Sequence, residues 1–575
     1  MTVTNRRAER AIGRWRRATT ITPSLARDVP LVLLWLAVAE AIVLLLHYGS
    51  GLNFYQDEWD FLIHRRGLNL HAFLAPDNEH ISVFTAAVFK LLESTFGMTS
   101  TMPYRVVGTV LLSGTAVLLF VFLRRRWGDW LALLSAVMVL FLGPAWQTLL
   151  LPVEMARVGS LAAGIGMLLA LRRRDRTGDR LACVLVTASV LCFSLGVAFI
   201  VAAAVDVALR RRPWRQRVFI PAIPAAVYVA WYLAYGRTAN SNVTLHNLVA
   251  SPVYLLNAVA SALQALFGLW PPNTLQPAHP TWGWAILGIA LVAVAVHVAR
   301  RRPVGEQLWP VVAAAVSSWL LAAATYLPGR EATVSRFQYP SVVFVLLLLA
   351  ELFPGVRVTR FRLGAAVVIA ALALAVNLSI LARGRDFLRV QSTLSRADLG
   401  ALELARRTVD PGFRLTPDVA GTQLLVVVDA GSYVSAIDAY GSPADGPRQL
   451  AAAPAVDRAW ADVVLRRALP VTMRALGPPQ EARLRREPRP SCATLTPAQG
   501  PGAGVELESR RAIIHSPPRG GPATIRLRQF ATGSFPVDVG TLAAGTSAMI
   551  TIPADLSQRP WFLRVEASRP VTLCP

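Results

Sequence analysis

The chain has 575 residues, 54% of them hydrophobic and only 16% charged, with a mean hydropathy of +0.45. A soluble globular chain would be nearer one-quarter charged, so that class is excluded. A formal charge of +24 would suit a nucleic-acid binder, but its arginines lie in short clusters between apolar runs: Arg6 to Arg17, Arg124–Arg126, Arg172–Arg180, Arg210–Arg217, Arg300–Arg302 and Arg357–Arg362. That spacing orients membrane helices, whereas a nucleic-acid face gathers its charge on one domain, so no nucleic-acid partner is expected. Lysine occurs once, at Lys90, a bias that fits a GC-rich bacterial genome.

In chain order, residues 1–29 read as a basic cytoplasmic N-terminus. The apolar run Leu31–Tyr48 is long enough to span a bilayer and lacks a small-residue cleavage site, so it reads as a retained anchor. Placing each arginine cluster inside makes 49–103 an external acidic loop. Helices follow at about 104–123, 129–144 and 155–171. The run Leu181–Leu209 has arginines at both ends and Ser194 and Gly196 near its middle, so it reads as a hairpin of two short helices. A helix at about 218–235 comes next. The run Pro252–Trp270 is followed by a loop without arginine, and it reads as an external interfacial or re-entrant segment. Helices at about 281–299, 308–327, 340–353 and 363–383 bring the expected crossings to about eleven. The membrane domain thus covers 30–383 of a multi-pass plasma-membrane protein.

Residues 384–575 are expected to be extracytoplasmic. After an amphipathic helix (Asp386–Arg407) come short alternating segments. "GVELES" sets Val505 and Leu507 against Glu506 and Glu508, "TIRLRQF" sets Ile525 and Leu527 against Arg526 and Arg528, and "WFLRVEAS" repeats the pattern through Leu563, Val565 and Ala567. Turn-rich pieces separate them, which predicts a β-sandwich. Cys492 and Cys574 fall in this part, where an external setting favours a disulfide. Cys183 and Cys192 lie in apolar helices and read as core residues.

Polar residues stand out against this apolar background. "FYQDEWDF" in the external loop crowds Asp57, Glu58 and Asp60, and a helical turn would put Asp57 and Asp60 on one face with Glu58 turned away. Like charges so close need a cation, a metal or a substrate proton nearby. Farther on, "APDNEHIS" offers Asp77 or Asn78 as helix cap, with Glu79 in the first turn of the helix and His80 left over to orient a hydroxyl or ligate a metal. Glu154 and Arg157 are one turn apart in "LLPVEMARVGS", where an ion pair is the plain reading. "REATVSRFQYP" places Arg330, Arg336 and Tyr339 at the mouth of a late helix. External arginines run against the positive-inside bias, and a phosphate at the membrane surface would suit them. Asp206 is expected to pair with Arg210, and Glu40, in mid-helix, to be protonated or partnered. No Gly-rich nucleotide loop, metalloprotease motif or nucleophile elbow is present.

An acidic "QDEWD" in the first external loop, many helices with short inside loops, "SRFQYP" opening a late helix and a C-terminal β region together resemble the GT-C class of membrane glycosyltransferases, including actinobacterial arabinofuranosyltransferases. The resemblance covers roughly residues 30–383. It implies a sugar donor linked to polyprenyl phosphate, an acceptor in the cell envelope, and chemistry at the outer face of the membrane lipids. It also implies that Asp57 is the base, while the terminal sandwich resembles appended carbohydrate-binding modules. Glu58, Asp60, Glu79 and His80 would then contact sugar or acceptor or support the base. Arg157 and Arg336 would hold the donor phosphate, and Asp60 and Glu79 could bind a divalent Mg, Mn or Ca ion. Two other readings are a transporter or flippase for lipid-linked sugars, which needs polar residues at mid-membrane, and a non-catalytic scaffold whose β domain binds envelope glycan.

Overall fold

The structure is a computed structural model that describes residues 23–210, 214–271, 273–300, 305–356, 358–416, 419–423, 428–477, 492–496, 505–507, 509–519 and 521–574, with side chains from residue 28. The basic cluster Arg6 to Arg17, with Arg211, Arg212, Arg301, Arg302, Arg357 and Glu508, lies outside them. The described chain falls into two compact units. One comprises 1–50, 69–87 and 104–385, the other 51–68, 88–103 and 386–575.

The first unit is helical. Among the described residues, seven helices are long and apolar enough to cross a membrane, or eight if the bent pair Asp129–Leu140 and Gly143–Leu150 is one span. Three more are apolar but shorter: Gly196–Leu209, Phe219–Ala234 and Leu308–Ala324. The expected hairpin is present as Arg176–Cys192 and Gly196–Leu209, broken at Phe193–Leu195. The bend of 43° in the pair beginning at Asp129 has a local cause. Gly143–Ala145 contains Pro144, and the Gly143 amide donates to Asn377 Oδ1 at 2.8 Å. A Cβ on Gly143 would sit 1.9 Å from the Asn377 carbonyl oxygen, so no larger residue fits this crossing.

Two expectations change here. The segment read as interfacial or re-entrant over Pro252–Trp270 is a 22-residue helix, Leu245–Leu266, that starts and ends earlier; it is also long and apolar enough to cross, though an eleven-crossing topology does not count it as a crossing. Thr244 caps it by accepting from the Asn247 amide at 3.1 Å, and it packs against Thr281–Ala299, Leu308–Ala324 and Ser335–Leu352. Its polar start, with His246, Asn247 and Ser251, hid the first two turns. Likewise the last apolar helix and the amphipathic one are a single helix, Arg360–Leu404. Glu40 is exposed on its helix. Asp206 does meet Arg210, at 2.7 Å, and Arg217 joins them.

The second unit carries the β structure. A four-stranded antiparallel sheet runs Val505–Leu507, Trp561–Glu566, Ala523–Arg528, Val537–Leu542, and a five-stranded one runs Thr472–Ala475, Ser547–Thr551, Arg511–His515, Val571–Cys574, Ala493–Leu495. Alternation sends Ala523, Ile525 and Leu527 inward with Leu563 and Val565 beside them, while Arg526 and Arg528 stay half-exposed. Val505 lies at a sheet edge and is 38% exposed, so there the expected inward face is only partly realised. Cys492 and Cys574 form a disulfide. With a sequence separation of 82, the bridge contributes about 4–5 kcal/mol in the chain-entropy picture.

Pieces of the first loop are built into this second unit. The Asn53 amide donates to Ser392 Oγ at 2.9 Å and its side chain to Ser395 Oγ at 3.1 Å. The Met98 amide donates to the Tyr440 carbonyl at 2.8 Å. Trp59, fully buried, meets Phe54 and Tyr433 edge-on at 5.5 and 6.2 Å.

Candidate functional site

In the helical unit, polar side chains converge around a turn rather than a capped helix. The Asp77 amide donates to the His80 carbonyl at 2.9 Å and the His80 amide to the Asp77 carbonyl at 2.8 Å. Asn78 adopts φ +51°, the left-handed conformation that asparagine tolerates. The chain therefore reverses here and the helix begins only at Val83. Neither Asp77 nor Asn78 caps it, and Glu79 is not in its first turn.

The turn directs Glu79 to a different task. Its Oε1 accepts from Asn242 Nδ2 at 2.6 Å, and its Oε2 lies 3.4 Å from Arg330 Nη1. His80 packs against Phe193, the first residue of the hairpin break, with ring centroids 4.1 Å apart and the planes tilted by 45°. Arg157 shares that ring, its guanidinium 4.9 Å from Phe193 and 5.9 Å from Phe337, and it pairs with Glu154 one turn earlier. Thr148 Oγ1 reaches the same Glu154 oxygen at 3.5 Å. Arg336 lies over Phe337 at 5.5 Å in the first turn of Ser335–Leu352. Burial first, then the charges of Arg157, Arg330 and Arg336, push the His80 pKa down to about 3. The imidazole is therefore neutral at physiological pH, a hydrogen-bonding group set among three guanidiniums.

This arrangement suits an anion. Fixed guanidiniums present paired donors to a phosphate, and the Ser335–Leu352 N-terminus adds the positive end of a helix dipole. The neutral His80 adds a polar edge without further charge. Sequence reasoning marked Glu79, His80, Arg157 and Arg336, and this unit brings them together. It missed Phe193, Phe337 and Asn242 and ranked Arg330 too low. Of these, only Phe193 left a trace, since Ser194 and Gly196 flag the hairpin tip that holds it. Tyr339 is 1% exposed in the body of its helix.

In the second unit the acidic motif forms a helical turn, Asp57–Trp59, continuing into a wider one, Asp60–His64. Gln56 enters it at φ +28°. Asp57 is half-buried at the head of the turn. Glu58 is fully buried, with Oε2 accepting from the Tyr55 amide at 2.9 Å. Asp60 pairs with Arg65 at 2.7 Å and His64 at 3.2 Å, and the other nitrogen of His64 reaches Asp429 at 3.3 Å. Burial alone would raise the Asp60 carboxyl, but the His64 hydrogen bond and the Arg65 charge outweigh it and hold it below the ordinary range. The Asp60 hydrogen bond in turn pushes His64 up, against its burial. Behind Arg65, Lys90 donates to its carbonyl, and burial pushes Glu93 up to about 7 against the pull of Lys90 and Arg66.

Asp60 and Glu79 thus spend their oxygens on protein donors. Among the described residues no group of three or more His, Cys, Asp or Glu side chains is set to hold a metal ion. These donor sets do not match the several free oxygens that Mg or Ca requires.

No protein-family model matches the sequence, and no curated protein matches it. Two solved structures are similar at 11% identity. ArnT from Cupriavidus metallidurans, crystallised with undecaprenyl phosphate, aligns over 81% of this chain and 96% of its own with a TM-score of 0.43. The arabinofuranosyltransferase AftD from Mycobacteria, determined by cryo-EM, aligns at 11% identity over 94% of this chain and 60% of its own with a TM-score of 0.34.

Proposed function

We propose that this chain is a membrane glycosyltransferase that moves a sugar from a polyprenyl-phosphate donor to an acceptor of the cell envelope. The observation that carries the reading is the set Arg157, Arg330 and Arg336 around a neutral His80, held by Glu154 and Glu79 and backed by two phenylalanine rings. A sugar phosphodiester is already activated, so the chemical need is to stabilise charge growing on the departing phosphate. Guanidiniums fixed before the reaction supply that without reorganisation. His80, uncharged, can donate one hydrogen bond to a phosphate or sugar oxygen.

The acceptor hydroxyl must lose its proton as it attacks, which calls for a carboxylate base. Asp57 is our candidate. Glu58 and Asp60, tied to Tyr55, Arg65 and His64, act as positioning residues for the turn that carries it. One displacement, with the acceptor entering opposite the phosphate, inverts the anomeric centre, as in other single-displacement glycosyl chemistry. The topology that accompanies this reading has the N-terminus in the cytoplasm and the C-terminal unit outside.

The test is transfer by the purified full chain from polyprenyl-phosphate-linked arabinose or mannose to short envelope oligosaccharides. Asp57→Asn is expected to lower the rate about 10²–10⁴-fold, the range of a lost general base, while melting unchanged. Full activity in a folded Asp57→Asn protein would remove Asp57 from the chemistry. Absence of any transfer, alongside sugar-lipid movement across vesicles, would replace the enzyme by a transporter.

A further inference from the structure

The turn that carries Arg330 is gripped from one face of the helix Leu245–Leu266. Asn247 and Tyr254 are seven positions apart on that helix, two turns, and so share a face. The Asn247 side-chain amide, 6% exposed, donates to the Ala324 carbonyl at 3.1 Å and the Tyr326 carbonyl at 3.0 Å. Ala324 ends the helix Leu308–Ala324, so its carbonyl is one that a helix leaves without an internal partner. Tyr254 takes the far end of the turn. Its hydroxyl donates to the Arg330 carbonyl at 3.4 Å, and its ring meets Tyr326 edge-on at 6.3 Å. Within the turn the Arg330 amide donates to the Leu327 carbonyl at 2.8 Å, a bond that sets the local shape but not where the turn lies.

The same amide reaches a second segment. Asn247 donates to the Asn242 carbonyl at 3.2 Å, and the Asn242 side chain is the group that holds Glu79 Oε1 at 2.6 Å. Glu79 Oε2 then faces Arg330 Nη1 at 3.4 Å. The contacts close a circuit. It runs from Asn247 through Asn242 and Glu79 to the Arg330 guanidinium, and from the Arg330 backbone through the turn to Asn247 again. One side chain, with two N–H groups serving three carbonyls, thus fixes both the backbone that carries the guanidinium and the carboxylate that aims it.

We infer that Asn247 is a positioning residue for anion binding, holding Arg330 where the set formed with Arg157, Arg336 and His80 needs it. This role rests on the phosphate reading of that set. A guanidinium already in place binds a phosphate without the ordering cost that a loose side chain incurs.

Binding of undecaprenyl phosphate to the purified full chain, counted per folded molecule, tests it with Asn247→Leu, Arg330→Gln and the double variant. Asn247→Leu, close in volume but without donors, should weaken binding about tenfold, the scale of one lost contact. Arg330→Gln should weaken it at least as much. The double variant should fall no further than Arg330→Gln alone, because residues acting through one another are not additive. In transfer, KM for the donor should rise about tenfold while KM for the acceptor stays. Additive losses would overturn the assignment, as would parent-like binding by folded Asn247→Leu. If Asn247→Leu does not fold, Asn242→Ala cuts the same circuit at a half-buried position and should give the same non-additive loss, with parent-like binding again the overturning result. A parent chain that binds no undecaprenyl phosphate would remove the phosphate reading itself, whereas parent binding with an unaffected variant removes only the role of Asn247.

Discussion

Two helices of the first unit carry arginine and glutamate chemistry at both ends, and the two ends use it differently. Arg157 and Arg172 are fifteen positions apart, as are Arg336 and Glu351, so each helix separates its two sets by about 22 Å. At the Glu351 end two carboxylates, Glu351 with Arg126 and Arg172 and Asp206 with Arg210 and Arg217, are each shared by two guanidiniums, which laces five helix termini together. At the Arg157 end the pairing is one to one, Glu154 with Arg157 and Glu79 with Arg330, and aromatic faces take the place of further acids. Shared carboxylates fix architecture. Singly held guanidiniums can exchange part of their contact for an incoming anion, as a site that turns over requires.

Substitutions at the two ends should therefore separate stability from activity. The largest effect is expected from Glu351→Gln, which leaves Arg126 and Arg172 buried without their acid. A loss of about 3–5 kcal/mol in unfolding free energy is expected, read by chemical denaturation, with transfer per folded molecule unchanged. A stable Glu351→Gln protein would break the contrast. Next is Arg157→Lys, which keeps charge but loses the planar fork and its stacking between Phe193 and Phe337. It should cut transfer about 10–100-fold with little change in melting, in line with the worth of a bidentate contact. An equal drop in stability and activity would make Arg157 structural instead.

The smallest effect concerns pH. His80 titrates near 3 in the fold against 6.5 when unfolded, so between those values the unfolded chain binds the extra proton. Stability that His80 contributes is full above about 6.5 and falls as pH drops toward 3. His80→Gln should be less acid-sensitive in that window, and the transfer profile above pH 6.5 should not shift. A parent profile that loses a step near neutrality in His80→Gln would show an imidazole that titrates during turnover.

Much of the helical frame was legible because apolar runs and arginine clusters are strong signals. Even the 181–209 hairpin could be read from Ser194 and Gly196. Leu245–Leu266 could not, since Asn247 spends its side chain on the Asn242, Ala324 and Tyr326 carbonyls and so looks like loop in the sequence. The site was half legible. Out-of-place arginines pointed to Arg157 and Arg336, but the aromatic backing from Phe193 comes from packing between helices distant in sequence. Glu79 was misplaced because a capping pattern and a left-handed turn at Asn78 look alike in one dimension. Asp57 and Glu58 are adjacent in sequence yet opposite in setting, one half-buried and one sealed, which only the turn geometry distinguishes.

The loop pieces woven into the second unit bear on how its C-terminal portion can be handled. Truncating the gene near codon 390 would sever Arg360–Leu404 in mid-course and strip the cover from Trp59, which rests on Tyr433. Residues 51–68 would then lose their template, so a silent truncation mutant would report a collapsed acidic turn as readily as a missing β region. A cut at residue 469 would be no cleaner, since fully buried Asp462 accepts from the Gln529, Phe530 and Ala531 amides and would be left without those donors.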